Sequence, residues 1–358
     1  MRCKKTLSLL LAVIVLIAAL CGCGYNPETV LDIDGYEFPA GVYLALQLRA
    51  LQEAAQDLNQ SYYTISILDD AMSDGRTVRD YVNDRTVELC REYVFVEREY
   101  ERLGLSADDS NSWYVQYMAS NYWQSYASSY QSNGISYESF LKLYQNEYER
   151  SVVLDKLYGE GGEMALSAEE KLAYYLQHFT RVDYIEFPAS DESGLSLTSD
   201  ATTLLSNIAN DMLEKAKSSD SLEAAYLADY AQVYALTNST LAATKENYAS
   251  TVTLDSVVSD LTGNFDAAFV TMVLSTPAGE YGLYEGESTK YLFKVKGTSA
   301  EDSALTDYNA YVIEGVAADR FSDYVKTGAA AYTVNEDARA RKYYSPDKIK
   351  ISNNSLFG

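Results

Sequence analysis

Histidine is nearly missing from this chain: its 358 residues include one, His178. That residue falls at the end of a predicted helix, where the helix dipole favours it. Ser-His-Asp and Cys-His chemistry are therefore excluded, and imidazole-rich metal sites with them. Cysteine is scarce too, at positions Cys3, Cys21, Cys23 and Cys90. Positive charge is short: 28 basic against 52 acidic side chains leave a formal charge of −24. Nucleic acid is excluded as a partner on that ground, because phosphate binding needs a basic surface. The apolar stretch over 7–20 is about 14 residues, too short to span a bilayer, which takes about 20. Phenylalanine is sparse beside tyrosine, 10 against 33. Tyrosine joins apolar area to a polar end, which suits half-wet surfaces and grooves better than dry cores.

What the chain does carry begins at its N-terminus. Arg2, Lys4 and Lys5 precede the apolar stretch, and Leu20-Cys21-Gly22-Cys23 follows it. A positive start, a short apolar core and small residues at a cleavage point are the layout of a secretory signal. A cysteine directly after Leu-x-Gly resembles a bacterial lipobox. Residues 1–22 are then expected to be removed, with Cys23 lipidated as the mature N-terminus; Leu20 is too bulky for cleavage before Cys21. Losing the three leader cations takes the formal charge to −27. Self-repulsion of that size favours solubility and discourages contact with anionic headgroups. The lipid must anchor alone, at about 0.8 kcal/mol per buried methylene. Residues 23–28 form a short linker. At about 3.3–3.6 Å per residue, five of them hold the folded body within roughly 20 Å of the bilayer. With the leader gone and Cys23 lipidated, only Cys90 remains, so no intramolecular disulfide is expected. Among Val87, Leu89 and Tyr93, Cys90 reads as a small buried hydrophobe.

About 335 mature residues exceed one compact core, so two or three subdomains are expected. Thr29 to Ile33 reads as a strand, Asp34-Gly35 as a two-residue hairpin turn, and Tyr36 to Phe38 as the return. The acids of this hairpin do not extend into a calcium loop. Helical patterns follow at about 40–58, 77–103, 106–132 and 136–157, with Gly104 and Gly134 as punctuation. Ser167 opens a short helix to about 179, and 182–187 alternates as a strand does. Further helices are expected at about 200–218, 221–230 and 265–274, strands at 281–284 and 290–295, and a final helix at about 305–324. The segment 343–348 reads as irregular.

Three features together resemble the PrsA/SurA class of extracytoplasmic foldases. One is the opening Val30-Leu31-Asp32-Ile33-Asp34-Gly35-Tyr36-Glu37-Phe38 before a helix. The second is the series Leu103-Gly104-Leu105-Ser106, Gly134-Ile135-Ser136-Tyr137-Glu138-Ser139-Phe140-Leu141 and Leu166-Ser167-Ala168-Glu169-Glu170 with Tyr174-Tyr175. The third is a strand, helices and a closing strand in the place of a parvulin prolyl isomerase. The resemblance implies an α+β fold. Residues 29–179 would form a mostly helical chaperone domain with an N-terminal β-hairpin, and 180–298 a small parvulin-like domain. Residues 299–358 would supply a C-terminal helix and tail returning to the chaperone domain. Active parvulins carry histidines in the first and last strands; here the aligned positions hold Tyr184 and Tyr291. Traces of the family's helix survive in Phe265-Asp266-Ala267-Ala268-Phe269.

The function implied is that of a membrane-anchored, extracytoplasmic chaperone for unfolded or nascent secreted proteins, with weak or absent prolyl isomerase activity. It needs no cofactor and no metal. Tyr184 and Tyr291 could still donate hydrogen bonds to a twisted imide, so an active isomerase stays open. A solute-binding or cell-wall-associated lipoprotein is the other alternative. The oligomeric state, with a homodimer among the options, is left open. The expected client groove is lined by Trp113, Tyr117, Tyr122, Trp123, Tyr126, Tyr130, Tyr137 and Tyr144. Aromatics at helical spacing usually pack in cores, so about a third of these are expected to face the groove.

Overall fold

The computed structural model describes residues 25–60, 64–106, 109–287, 289–299 and 303–351. The leader and Cys23 lie outside the described residues. The fold is α+β and mostly helical, in two compact units. The first joins the chain up to Lys156 with the segment from Asp319 onward; the second runs from Leu157 to Ala318. No helix among the described residues is long and apolar enough to cross a membrane.

In the first unit, β1 (Thr29–Ile33) and β2 (Tyr36–Pro39) pair antiparallel with Ile33 opposite Tyr36. Asp34 and Gly35 both take left-handed backbone angles, φ 49° and 85°, as a two-residue hairpin turn requires. Pro39 then leads into α1 (Ala40–Asp57), which packs on α2 (Val78–Arg102). Thr77 caps α2 by accepting the Asp80 N–H, and Gly104 ends it in a left-handed turn at φ 65°. α3 (Asp109–Ser132) and α4 (Tyr137–Tyr158) follow. Val42, Leu48, Leu51, Val82, Val94 and Cys90 are fully buried in one core. Cys90 is free, and burial pushes its thiol well up.

The second unit starts with α5 (Ala168–His178), held by a reciprocal capping box between Ser167 and Glu170. Then come β3 (Phe179–Phe187), α6 (Ser199–Ser219), α7 (Leu222–Leu236), α8 (Lys245–Thr251), β4 (Val252–Ser259), α9 (Ala267–Ser275), β5 (Tyr281–Glu285) and β6 (Lys290–Val295). The four strands form one antiparallel sheet in the order β4-β3-β6-β5. The side chains of β3 and β6 alternate between its two faces, as period 2 dictates. Ile185, Phe187 and Leu292 join the α6 and α7 residues Ile208, Met212, Tyr226 and Tyr230 in one core. Val182, Tyr291, Phe293 and Val295 join Phe269 and Val273 of α9 in another.

α10 (Ala304–Asp307) and α11 (Asn309–Ala330) replace the single helix expected at 305–324; the break falls at Tyr308. Val312, early in α11, packs with Tyr175 and Phe179 in the second unit. In the first unit, Tyr324 stacks edge-on against Phe95 and its hydroxyl donates to Glu99 Oε2 at 2.8 Å. β7 (Val334–Glu336) then pairs antiparallel with β1, and α12 (Ala338–Tyr343) and a 3₁₀ turn at Pro346–Lys348 follow. The tail is therefore more ordered than its sequence suggests. Three residues of strand and six of helix carry too short a pattern to read. β4 also escapes the sequence pattern. It is an edge strand with Thr253, Leu254 and Asp255 exposed and Asp255 at φ 57°, so its hydrophobic alternation is lost.

Candidate functional site

Residues 110–132 contain no charged side chain, in a chain where 22% of residues are charged. They make up nearly all of α3. At 100° per residue, Val115, Ala119, Trp123, Tyr126 and Tyr130 fall in one stripe. That stripe packs inward: Val115, Ala119 and Tyr130 are buried, Trp123 and Tyr126 partly so. Trp123 stacks on Tyr130 at 5.8 Å and meets Tyr137 and Phe140 of α4 at 5.5 and 5.4 Å. Burial pushes the Tyr130 phenol up to about 12, helped by the neighbouring Tyr126.

The other side of α3 is bare. There Trp113 is 65% exposed, Tyr117 52% and Tyr114 51%; Tyr122, about 20° from Val115 by helical angle, is 47% exposed at the edge of the buried stripe. Trp113 and Tyr117, four residues apart, stack with rings 10° from parallel and centroids 5.4 Å apart. Tyr122 leans on Tyr144 of α4 at 5.8 Å. Burial raises the Tyr144 phenol, and Tyr122 and Tyr114 add to the effect. Of the eight expected groove residues, then, Trp123, Tyr126, Tyr130, Tyr137 and Tyr144 pack against the core of the first unit. Trp113 and Tyr117 face outward with Tyr114 beside them, and Tyr122 is half-exposed at the edge of the buried stripe. Tyr114 is not among the expected groove residues. Its neighbour Val115 points inward, which by helical angle alone puts Tyr114 on the exposed flank.

In the second unit, Tyr184 of β3 and Tyr291 of β6 point to the same face of the sheet. Their rings meet edge to face at 5.3 Å, inside a cluster with Phe265, Phe269 and Tyr284. Tyr291 is only 8% exposed, and burial raises its phenol above the ordinary range, so it stays protonated at neutral pH. Tyr284 donates to Asp266 Oδ1 at 2.6 Å, and that carboxylate also caps α9 through the N–H groups of Ala268 and Phe269. These bonds hold Asp266 below the usual carboxylate range and push Tyr284 up to about 12. A cleft of about 460 Å³ opens beside Phe265, Val270 and Leu274. His178 stands outside the aromatic cluster, at the end of α5, stacked on Tyr174 at 4.1 Å with Nδ1 3.0 Å from Asp260, which lines the same cleft. The cluster can donate hydrogen bonds and exclude water. Among the described residues, no three acidic, cysteine or histidine side chains are placed to hold a metal ion.

No protein family and no curated protein matches this chain. Among solved structures it is similar to the foldase protein PrsA from Streptococcus pneumoniae, at 15% identity over 76% of this chain and 87% of that one, with a TM-score of 0.36. It is similar to PrsA from Lactococcus lactis at 11% identity, over 90% of this chain and 100% of that one, with a TM-score of 0.37. For PrsA from Bacillus subtilis the identity is 13%, the shares are 69% and 80%, and the TM-score is 0.28.

Proposed function

We propose that this protein is a lipid-anchored, extracytoplasmic foldase that binds unfolded exported polypeptides and has little or no prolyl isomerase activity. The observation that carries the reading is the bare face of α3, with its stacked Trp113 and Tyr117 and no charged residue from 110 to 132. Exposed apolar area of this kind marks an interaction surface. Tyrosine and tryptophan supply contact area at low entropic cost and tolerate water, which suits weak binding to many sequences. The ordered motifs around Asp34-Gly35, Gly134 and Ser167 support the same reading. So does the strand, helix and strand sequence of the second unit. The test is a refolding assay: the mature protein should suppress aggregation of a reduced exported client, and a Trp113→Ala, Tyr117→Ala variant should do so less well. No suppression by the wild type would sink the reading.

Tyr184 and Tyr291 support the loss of isomerase chemistry, because they fill the histidine positions with packed rings. A second reading, residual isomerase activity, draws on the cleft beside Phe265 and on the hydroxyl groups of both tyrosines. A proline-limited refolding rate separates the two. Anchoring rests on Cys23: a Cys23→Ser variant should lose incorporation of labelled fatty acid and leave the membrane fraction. The acidic surface should draw basic clients faster than acidic ones at low salt. Equal association rates for cationic and anionic unfolded peptides would count against that.

A further inference from the structure

We propose that one face of α12, with Tyr25 packed on it, makes a second contact with the bilayer by meeting anionic lipid headgroups. The formal charge of the whole chain, −24, predicts the reverse. That charge is unevenly spread. Residues 338–350 hold five of the 28 basic side chains, Arg339, Arg341, Lys342, Lys348 and Lys350, against one acid, Asp347. Most acids close by are engaged. Arg79 pairs with Asp347, and Arg341 pairs with Glu336 at 3.4 Å. Asp337 caps α12 through the N–H groups of Arg339 and Ala340 and accepts the Tyr25 hydroxyl at 3.1 Å. Glu28, next to Pro27, opposes the cations. Among the described residues, Arg339, Lys342, Lys348 and Lys350 form no ion pair.

These cations stand where the chain meets its anchor. Arg339, Lys342 and Tyr343 are three and four residues apart, so they share one face of α12, and all three are exposed. Tyr25 lies on that face. The Arg339 guanidinium is 3.7 Å from its ring centroid, and the Tyr343 ring is 5.7 Å away. Lys348 Nζ stands 4.8 Å from the Tyr343 ring. The Tyr344 hydroxyl ties the two segments together by donating to the Pro27 carbonyl at 2.8 Å. Tyr25 comes two residues after Cys23, so an acyl group there is tethered within about 7 Å of Tyr25. Exposed charges act over about 8 Å at physiological ionic strength. A bilayer that holds Cys23 is therefore in range of this face, while acids farther away are screened from it. Tyr343 adds the half-apolar ring that suits a headgroup layer.

This second contact presupposes the lipid anchor at Cys23 and adds an orientation to it. The test couples Cys23 of the mature chain to a maleimide bearing a single myristoyl-length chain; Cys90, being buried, is spared. One such chain binds membranes only marginally, so any contribution from the protein shows as a change in partition. Sedimentation at physiological salt compares vesicles of phosphatidylcholine with vesicles of one part phosphatidylglycerol to two of phosphatidylcholine. Partition into the anionic vesicles should be at least about fivefold stronger, since each cation near such a surface is worth up to about fivefold. Arg339→Gln, Lys342→Gln should abolish that preference. Lys342→Glu alone should do the same, which keeps the test valid if losing the Arg339 stacking on Tyr25 unsettles the fold. Lys217→Gln, Lys245→Gln removes equal charge from exposed positions in the second unit and should keep the preference. Equal or weaker partition into the anionic vesicles, as the whole-chain charge dictates, overturns the inference. So do equal losses in the two double variants. So does unacylated protein that binds soluble polyphosphate more tightly than the anionic vesicles, because the partner is then a polymer. Cells in which Cys23 carries no fatty acid overturn the anchor and this inference together, whereas a failure on vesicles alone leaves the anchor and the foldase reading standing.

Discussion

Tyr184 and Tyr291 meet edge to face across two adjacent antiparallel strands, two residue pairs out of register, with ring centroids 5.3 Å apart. Each also touches Phe265, so the pair forms part of a continuous aromatic layer between the sheet and α9. Such edge-to-face contacts add about 0.5–1.5 kcal/mol beyond area burial. The positions where the resemblance places catalytic histidines are thus occupied by structural rings.

Structural rings should tolerate loss of their hydroxyls and not of their area. Tyr184→Phe and Tyr291→Phe should leave a proline-limited refolding rate within about a factor of two of wild type. Tyr291→Ala should cost about 3–5 kcal/mol by denaturant unfolding, as for other large buried aromatics. A fall of more than about fivefold in rate for either phenylalanine variant would instead assign the hydroxyls to catalysis.

The first unit should lose stability as pH rises toward neutrality. Burial, with Glu97 and Glu101 nearby, raises the Glu149 carboxyl to about 7, and Glu97 is raised as well. Both bind a proton more tightly folded than unfolded. Their contribution is complete below the ordinary carboxylate pKa of about 4.3 and is lost as pH climbs through the folded value. With allowance for solvent screening, the loss is on the order of 1–2 kcal/mol between pH 4.5 and 7.5. Glu149→Gln should flatten the slope. A denaturation series in which the variant and wild type fall in parallel would contradict the assignment.

Gly328 on α11 sits against Phe95 so closely that an added Cβ would lie 2.0 Å from the ring. Gly328→Ala gains up to about 1 kcal/mol in helix propensity and should still be destabilising, because overpacking costs about 1–3 kcal/mol. Phe95→Leu in the same chain should recover part of the loss. Additive effects of the two changes would mean that the contact is slack.

Much of this fold is written locally. Asp34-Gly35 carries its own turn, Thr77 and Ser167 their own caps, and Gly104 its own stop. Such signals need no distant partner, so they read correctly in isolation. β4 and β7 are different, because each exists through a partner strand far away in sequence, β3 and β1 respectively. Nothing within Val334–Glu336 announces a strand until β1 is beside it. The aromatic series on α3 was legible as a series and not as a surface. Which rings turn outward depends on where Val115 and Ala119 find the core.

The central claim is that the bare face of α3 binds unfolded chains, and the most direct measurement is site-specific crosslinking there. A photoreactive phenylalanine analogue in place of Tyr117, in the full chain, should crosslink a reduced, unfolded exported client and lose that product when the client is folded. Crosslinking at Tyr117 that is absent, or equal for folded and unfolded client, would contradict the account.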